Sequence, residues 1–285
     1  MIAIEIGHSL KRAGAMATLA AMTTLGLGVA PASAAISWTC DYTASNHQVR
    51  LTLSGSGLVL VARDGSRITV DFTWCESKAT VFNTDQIVIL AGDGDQHVAI
   101  QLFAVGSSDT GFQPGHTDEP GSSDEIEIAV SLGGGNDKLS ISSSDDPDNI
   151  VLGRSSGRFV MGAINLNAQE ATGVDNDLKM TFGIETVEVA GRGGNDKVSA
   201  AGGFGTGERF GYAVRLIGGD GNDNLTGGAA GDYLSGGYGN DTLKGGPGPD
   251  YLDSSDGVSG NDTVQGGTGF DTCDTDAGDS RTSCP

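Results

Sequence analysis

Helical patterning is nearly absent from this 285-residue chain, and positive charge is scarce: 16 Lys and Arg stand against 37 Asp and Glu, a formal net charge of −21. Such acidity excludes nucleic acid and anionic membranes as partners, because both would be repelled. Histidine is as sparse. Beyond the first 34 residues only His47, His97 and His116 occur, and no His-Glu-x-x-His pattern appears. None of the four cysteines has the Cys-x-x-Cys spacing of a redox or zinc site. No aromatic-rich patch announces a docking surface. Past residue 34 no run is apolar enough to cross a bilayer.

The first 34 residues read as a leader. Lys11 and Arg12 precede the small apolar run "AGAMATLAAMTTLGLGVA", and Ala32, Ser33 and Ala34 offer a small-x-small cleavage site. Cleavage after Ala34 would export a mature chain of 251 residues carrying a net charge of −22. In an exported protein four cysteines point to two disulfides. Of the possible connectivities the local one is expected, Cys40 with Cys75 and Cys273 with Cys284.

What the chain does contain is alternation and repetition. Short period-two strands recur in "VRLTL", "ITVDFTW" and "IEIAV", so an all-β fold is expected. From residue 218 to 253 the unit Gly-Gly-x-(Gly/Ala)-x-Asp-x-Leu-x is repeated four times, with Asp223, Asp232, Asp241 and Asp250 in sixth place. After the interruption "SSD" (254–256), two further units bring Asp262 and Asp271. Worn copies upstream carry Asp137 (132–140) and Asp196 (191–199); 91–99 has Gln96 in that place, and "DNIVLG" (148–153) is a fainter relic. Between Ile217 and the C-terminus there are twelve Asp, no Glu, and only Lys244 and Arg281 as bases. Acidity needed only for solubility would not all take the shorter side chain.

The unit has a physical logic. Its glycines, among them Gly219, Gly221, Gly237, Gly239, Gly246 and Gly248, allow a tight turn with exposed carbonyls. The x-Leu-x that follows is a minimal strand with one inward apolar residue. Two half-turns close an 18-residue coil, and coils must stack to bury any core. Stacking puts Asp223 beside Asp241 and Asp232 beside Asp250, each pair ~5 Å apart, with a repulsion of about 3 kcal/mol at an effective dielectric of ~20. A cation is therefore expected between the turns. An all-oxygen donor set without His or Cys suits calcium, whose geometry is forgiving, better than zinc, copper or magnesium.

The units "GGDGNDNLT", "GGYGNDTLK" and "GGTGFDTCD" resemble the repeats-in-toxin (RTX) calcium-binding nonapeptide. That resemblance implies a parallel β-roll. The stretches "ATVFNTDQIVI", "GIETVEV" and "DTDAGDSRTSC" are similar to secreted actinobacterial calcium-binding proteins. RTX toxins leave the cell by a C-terminal signal, whereas this chain carries an N-terminal leader.

The expected organisation is a signal peptide (1–34), an N-terminal β region (35–130) of degenerate coils or a small sandwich, and a degenerate solenoid (131–216). An RTX-like β-roll (217–274) and a disulfide-stapled tail (275–285) follow. The expected function is that of a secreted, non-enzymatic calcium-binding protein with a structural or adhesive role. The alternative is a calcium-dependent polysaccharide lyase or hydrolase, for which Arg154, Arg158 and Lys179 would be the first candidates. "DGNDN" (220–224) is not an EF-hand, since Leu225 takes the obligatory glycine place; "GFGTG" (203–207) is a loop. In the stacked reading Asp241 and Asp250 are internal, while Asp223 and Asp271 end their ladders unless Asp196 extends the first. The insertion stretches two spacings from 18 to 21 residues, which should weaken those sites.

Overall fold

A computed structural model describes residues 35–64, 66–75, 79–81, 84–102, 126–155, 161–166 and 177–284. The expected leader, His116 and Arg158 lie outside the described residues. Among the described residues every regular element is a strand, and the strands form two sheets, one of thirteen strands and one of ten. From Gln48 onward the chain passes from one sheet to the other, and most neighbours within each sheet pair in parallel.

Parallel registry stacks like on like. In the ten-stranded sheet Val61, Ile100, Ile141, Val189, Leu216, Leu234, Leu252 and Cys273 follow one another through successive strands. Across the core, Ile150, Val198, Leu225, Leu243 and Val264 do the same in the other sheet. The first of these rows runs unbroken past residues 130 and 216.

The core narrows along the stack. Gln48–Ser54 buries Val49, Leu51 and Leu53, whereas Asn224–Thr226 and Tyr251–Asp253 each bury a single leucine. One leucine contributes about 2–3 kcal/mol, small against the conformational entropy of ordering nine residues. The C-terminal coils therefore lean on something besides apolar burial.

The middle departs from a regular coil. After Lys138–Ser142 the chain enters the larger sheet at Asn149–Arg154 and doubles back through antiparallel Gly162–Asn165 and Leu178–Met180. Leu178–Met180 then pairs in parallel with Glu127–Ser131. Phe210 fills the space beside this hairpin, fully buried, and a side chain at Gly162 would run into its ring.

Both ends are stapled across the two sheets. Cys40, in Ser37–Thr43 of the larger sheet, bonds Cys75, just beyond Thr73–Trp74 of the smaller, with Cα atoms 5.3 Å apart. Cys273 bonds Cys284 at 5.8 Å, joining the last strand of the smaller sheet to the turn after Ser280–Thr282. On a loop-entropy basis the shorter link, spanning 11 residues, contributes about 3 kcal/mol. Cys273→Ser/Cys284→Ser should lower the unfolding free energy by about that amount in saturating calcium. Denaturant titration of the purified variant checks this, and an unchanged midpoint and slope would refute the stapling role.

Candidate metal sites

Each sixth-place aspartate sits where a turn enters a strand, and the parallel registry lines these positions along two edges. On the first edge the order is Asp148, Asp196, Asp223, Asp241, Asp262, Asp279. The backbone N–H of each donates to Oδ1 of the next, at 2.8, 2.7, 2.8, 2.7 and 3.4 Å. On the second edge Val214 N–H donates to Asp232, Asp232 to Asp250, and Asp250 to Asp271, at 3.0, 2.8 and 3.0 Å. Asp196 thus extends the first ladder, and Asp223 is an internal rung.

The other carboxylate oxygen is the informative one. Oδ2 of Asp196, Asp223, Asp241, Asp250, Asp262 and Asp271 is buried and accepts no hydrogen bond. A buried carboxylate oxygen with nothing to neutralise it is costly. Beside most of these atoms lies a glycine, which puts no side chain against the carboxylate. A Cβ at Gly191, Gly218, Gly236, Gly245 or Gly266 would collide with Oδ2 of the aspartate five residues on. At Gly218 and Gly245 that point also lies 2.5 Å from the carbonyl oxygen of Gly236 and Gly266 respectively, one coil further. Carboxylate and carbonyl oxygens thus converge on gaps without side chains, and these residues fit a hard, oxygen-seeking divalent cation.

The neighbouring glycines answer to a different constraint. Gly219, Gly221, Gly237, Gly239, Gly246 and Gly248 all have φ between 102° and 135°. At Gly221 a side chain would also strike the Gly194 carbonyl of the previous coil. Between these turns runs a second ladder that the sequence reading missed. Asn195 Oδ1 accepts the Asn222 N–H and Asn222 Oδ1 accepts the Asn240 N–H, each at 2.7 Å, and the Asn261 amide reaches the Gly239 carbonyl. The recurrent Gly-Asn-Asp triplet was its signal.

Two expected residues stand apart. Asp137 is buried with a free Oδ2, but its neighbours along the edge are Gln96, whose N–H it accepts at 2.6 Å, and Glu185, which accepts the Asp137 N–H at 2.7 Å. Its repeat begins with the buried Leu132 instead of glycine. Asp232 has both oxygens satisfied, Oδ2 by the Gly228 N–H at 2.5 Å. The insertion is absorbed without loss of the clamps: Asp241 to Asp262 and Asp250 to Asp271 keep 2.7 and 3.0 Å. Ser254, fully buried, takes the place in the column that Gly218 and Gly236 occupy below it.

Burial raises the pKa of these carboxyls, to about 7 at Asp196 and Asp232 and about 6 at Asp241. Asp223, Asp250 and Asp262 are raised for the same reason, against the backbone N–H bonds that favour the charged form. In the unfolded chain an aspartate titrates near 3.9. Raised folded-state values mean that the calcium-free fold holds protons the unfolded chain has released, so its stability falls as pH rises from about 4 toward 7. A cation must displace those protons, so its affinity weakens on acidification. In chelator, far-UV CD should show more β structure in the repeat segment at pH 5 than at pH 8. The calcium midpoint should rise between pH 8 and pH 6. A flat profile in both measurements would contradict this electrostatic picture.

Residues 217–252 and 256–279 match the family model of the RTX calcium-binding nonapeptide repeat (4 copies). Neither the curated proteins nor the solved structures include a match to the chain. The stacked glycine turns and aspartate ladders of residues 217–279 are RTX calcium-binding nonapeptide repeats.

Proposed function

We propose that the chain is an exported calcium-binding protein whose repeat segment folds as calcium enters the aspartate ladders, and that its role is structural or adhesive. The row of buried, unpaired Oδ2 atoms from Asp196 to Asp271 carries this reading. Asp196, Asp223, Asp241, Asp250, Asp262 and Asp271 would hold the ions, with turn carbonyls such as that of Gly236. The bound cation supplies the positive charge that a net −10 over residues 217–285 otherwise lacks. The broad apolar core of the N-terminal coils supports a base that stays folded without calcium. Export is supported by the two disulfides and by the leader-like first 34 residues.

A non-catalytic role fits the polar groups elsewhere. His97 Nε2 lies 2.7 Å from the Ser140 hydroxyl, but Glu188 accepts from that hydroxyl instead of orienting the imidazole. A hydrolytic triad needs the carboxylate on the histidine. Lys179, a candidate for the polysaccharide-cleaving alternative, pairs with Glu127 at 3.5 Å on the surface.

Calcium titration followed by far-UV CD and limited proteolysis tests the reading. In chelator, protease should clear residues 217–274 and leave a resistant fragment from the preceding coils. Calcium should restore protection with a midpoint near ~10⁻⁴–10⁻³ M, tightened by cooperativity between rungs. Identical digestion with and without calcium would defeat the proposal. Asp223→Ala and Asp241→Ala, both internal to their ladder, should raise the midpoint more than Asp271→Ala at a ladder end. Asp220→Ala, exposed and outside the ladders, should leave it unchanged. Calorimetry on the four variants orders them, and equal losses would mean that diffuse charge holds the ions.

A further inference from the structure

The two ladders do not end alike at their two extremes. Downstream, the second ladder ends at Asp271 with a buried, unpaired oxygen, whereas the first ends at Asp279, whose Oδ1 accepts from Gly260 and Asp262 and whose Oδ2 accepts from Asp276. Upstream, Oδ2 of the first rung of each ladder is satisfied by donors from the chain itself.

On the first edge that rung is Asp148. The register that pairs Ser142 with Ala190 puts Ser143 one coil before Gly191, in the column of first-place residues that continues through Gly218 and Gly236. Ser143 is buried, and its hydroxyl donates to the Gly191 carbonyl at 2.9 Å. At the next rungs a carboxylate and the first-place carbonyl one coil on flank Gly191 and Gly218. Ser144 adds its N–H at 3.2 Å and its hydroxyl at 3.1 Å to Asp148 Oδ2. Asp148 Oδ2 has two donors, whereas Asp196 Oδ2, one rung later, has none.

On the second edge the rung is Asp232. Gly228 holds its usual repeat place, yet it lacks the positive φ of Gly219, Gly237, Gly246 and Gly267, and its N–H turns onto Asp232 Oδ2. The Arg209 guanidinium sits on the adjacent turn carbonyls, 3.1 Å from Gly227 and 3.2 Å from Gly228. A fixed cation and a backbone donor occupy this turn.

We propose that the chain closes both ion ladders at their upstream ends with its own donors, Ser144 at Asp148, and Gly228 N–H with Arg209 at Asp232. Calcium then enters first at Asp196 and Asp250. Gly191, Gly218, Gly236, Gly245 and Gly266 show no positive φ, so backbone conformation does not require glycine there; the close approach of the carboxylate does. At Asp148 the serine comes as a pair, and Ser144 reaches the carboxylate; Ser254, alone in the same column, leaves Asp262 Oδ2 unpaired. The inference rests on the calcium reading above and adds where the ions stop.

Native mass spectrometry of the disulfide-intact mature chain in saturating calcium counts the ions directly. Ser143→Gly/Ser144→Ala, which opens the Asp148 rung, should bind one more calcium than the wild type. Asp232→Ala should keep the wild-type count, whereas Asp250→Ala should lose at least one. A wild-type chain that binds no calcium defeats the calcium reading itself. A calcium-binding wild type with an unchanged count in the opened variant overturns the closure alone. If the opened variant does not reach the wild-type CD spectrum, Asp232→Ala decides: the wild-type count supports closure, and one ion fewer refutes it.

Discussion

The repeat segment depends on a carboxylate held by one oxygen. Each ladder aspartate spends Oδ1 on the N–H of the rung before it, which fixes the side chain and stacks the turns. Its other oxygen is thereby committed to a dry gap with no donor. The geometry that builds the ladder is also what makes it unfavourable by itself, since burial opposes the charged form at every rung. Calcium resolves the conflict because it offers positive charge and open coordination to oxygens that the fold has already aligned.

The molecule divides this burden along its length. Where strands carry two or three buried apolar residues, hydroxyls, amides and ion pairs take over at the turns and edges: Gln96, Ser143, Ser144, and the Lys138–Glu188 pair at 2.9 Å. Where strands shrink to one buried leucine, aspartates and glycines take over. Hydrophobic burial and ion binding thus alternate as the main source of cohesion within one continuous pair of sheets. The upstream coils also give the repeat segment a packed surface to stack on.

Stacks of this kind have two weak points, their ends, where strand edges are open to further pairing. Here antiparallel strands cover the N-terminal end, and a short exposed strand, Ser280–Thr282, covers one sheet at the other. In both places a disulfide bridges the two sheets, where the row of core residues runs out. Arg281 stands in register with Val264 but is exposed, a polar last member of an apolar row.

The nine-residue period, the sixth-place aspartates and the local cysteine pairs were legible in the sequence, because period, residue type and spacing are local properties. Together they determined the strands, the turn glycines and the calcium chemistry of residues 217–279. Tertiary structure decided which aspartates meet. Asp148 and Asp279 join the first ladder across spacings of 48 and 17 residues that no nonapeptide count would suggest. Asp137 fits the motif but is placed between Gln96 and Glu185. The antiparallel hairpin at 162–180 is what breaks the spacing, and it depends on contacts such as Phe210 against Gly162, remote in sequence. Whether a carboxylate is left free or saturated was likewise invisible in the repeat. It turns on Ser144, Gly228 and Arg209, which reach their partners only once the coils are stacked.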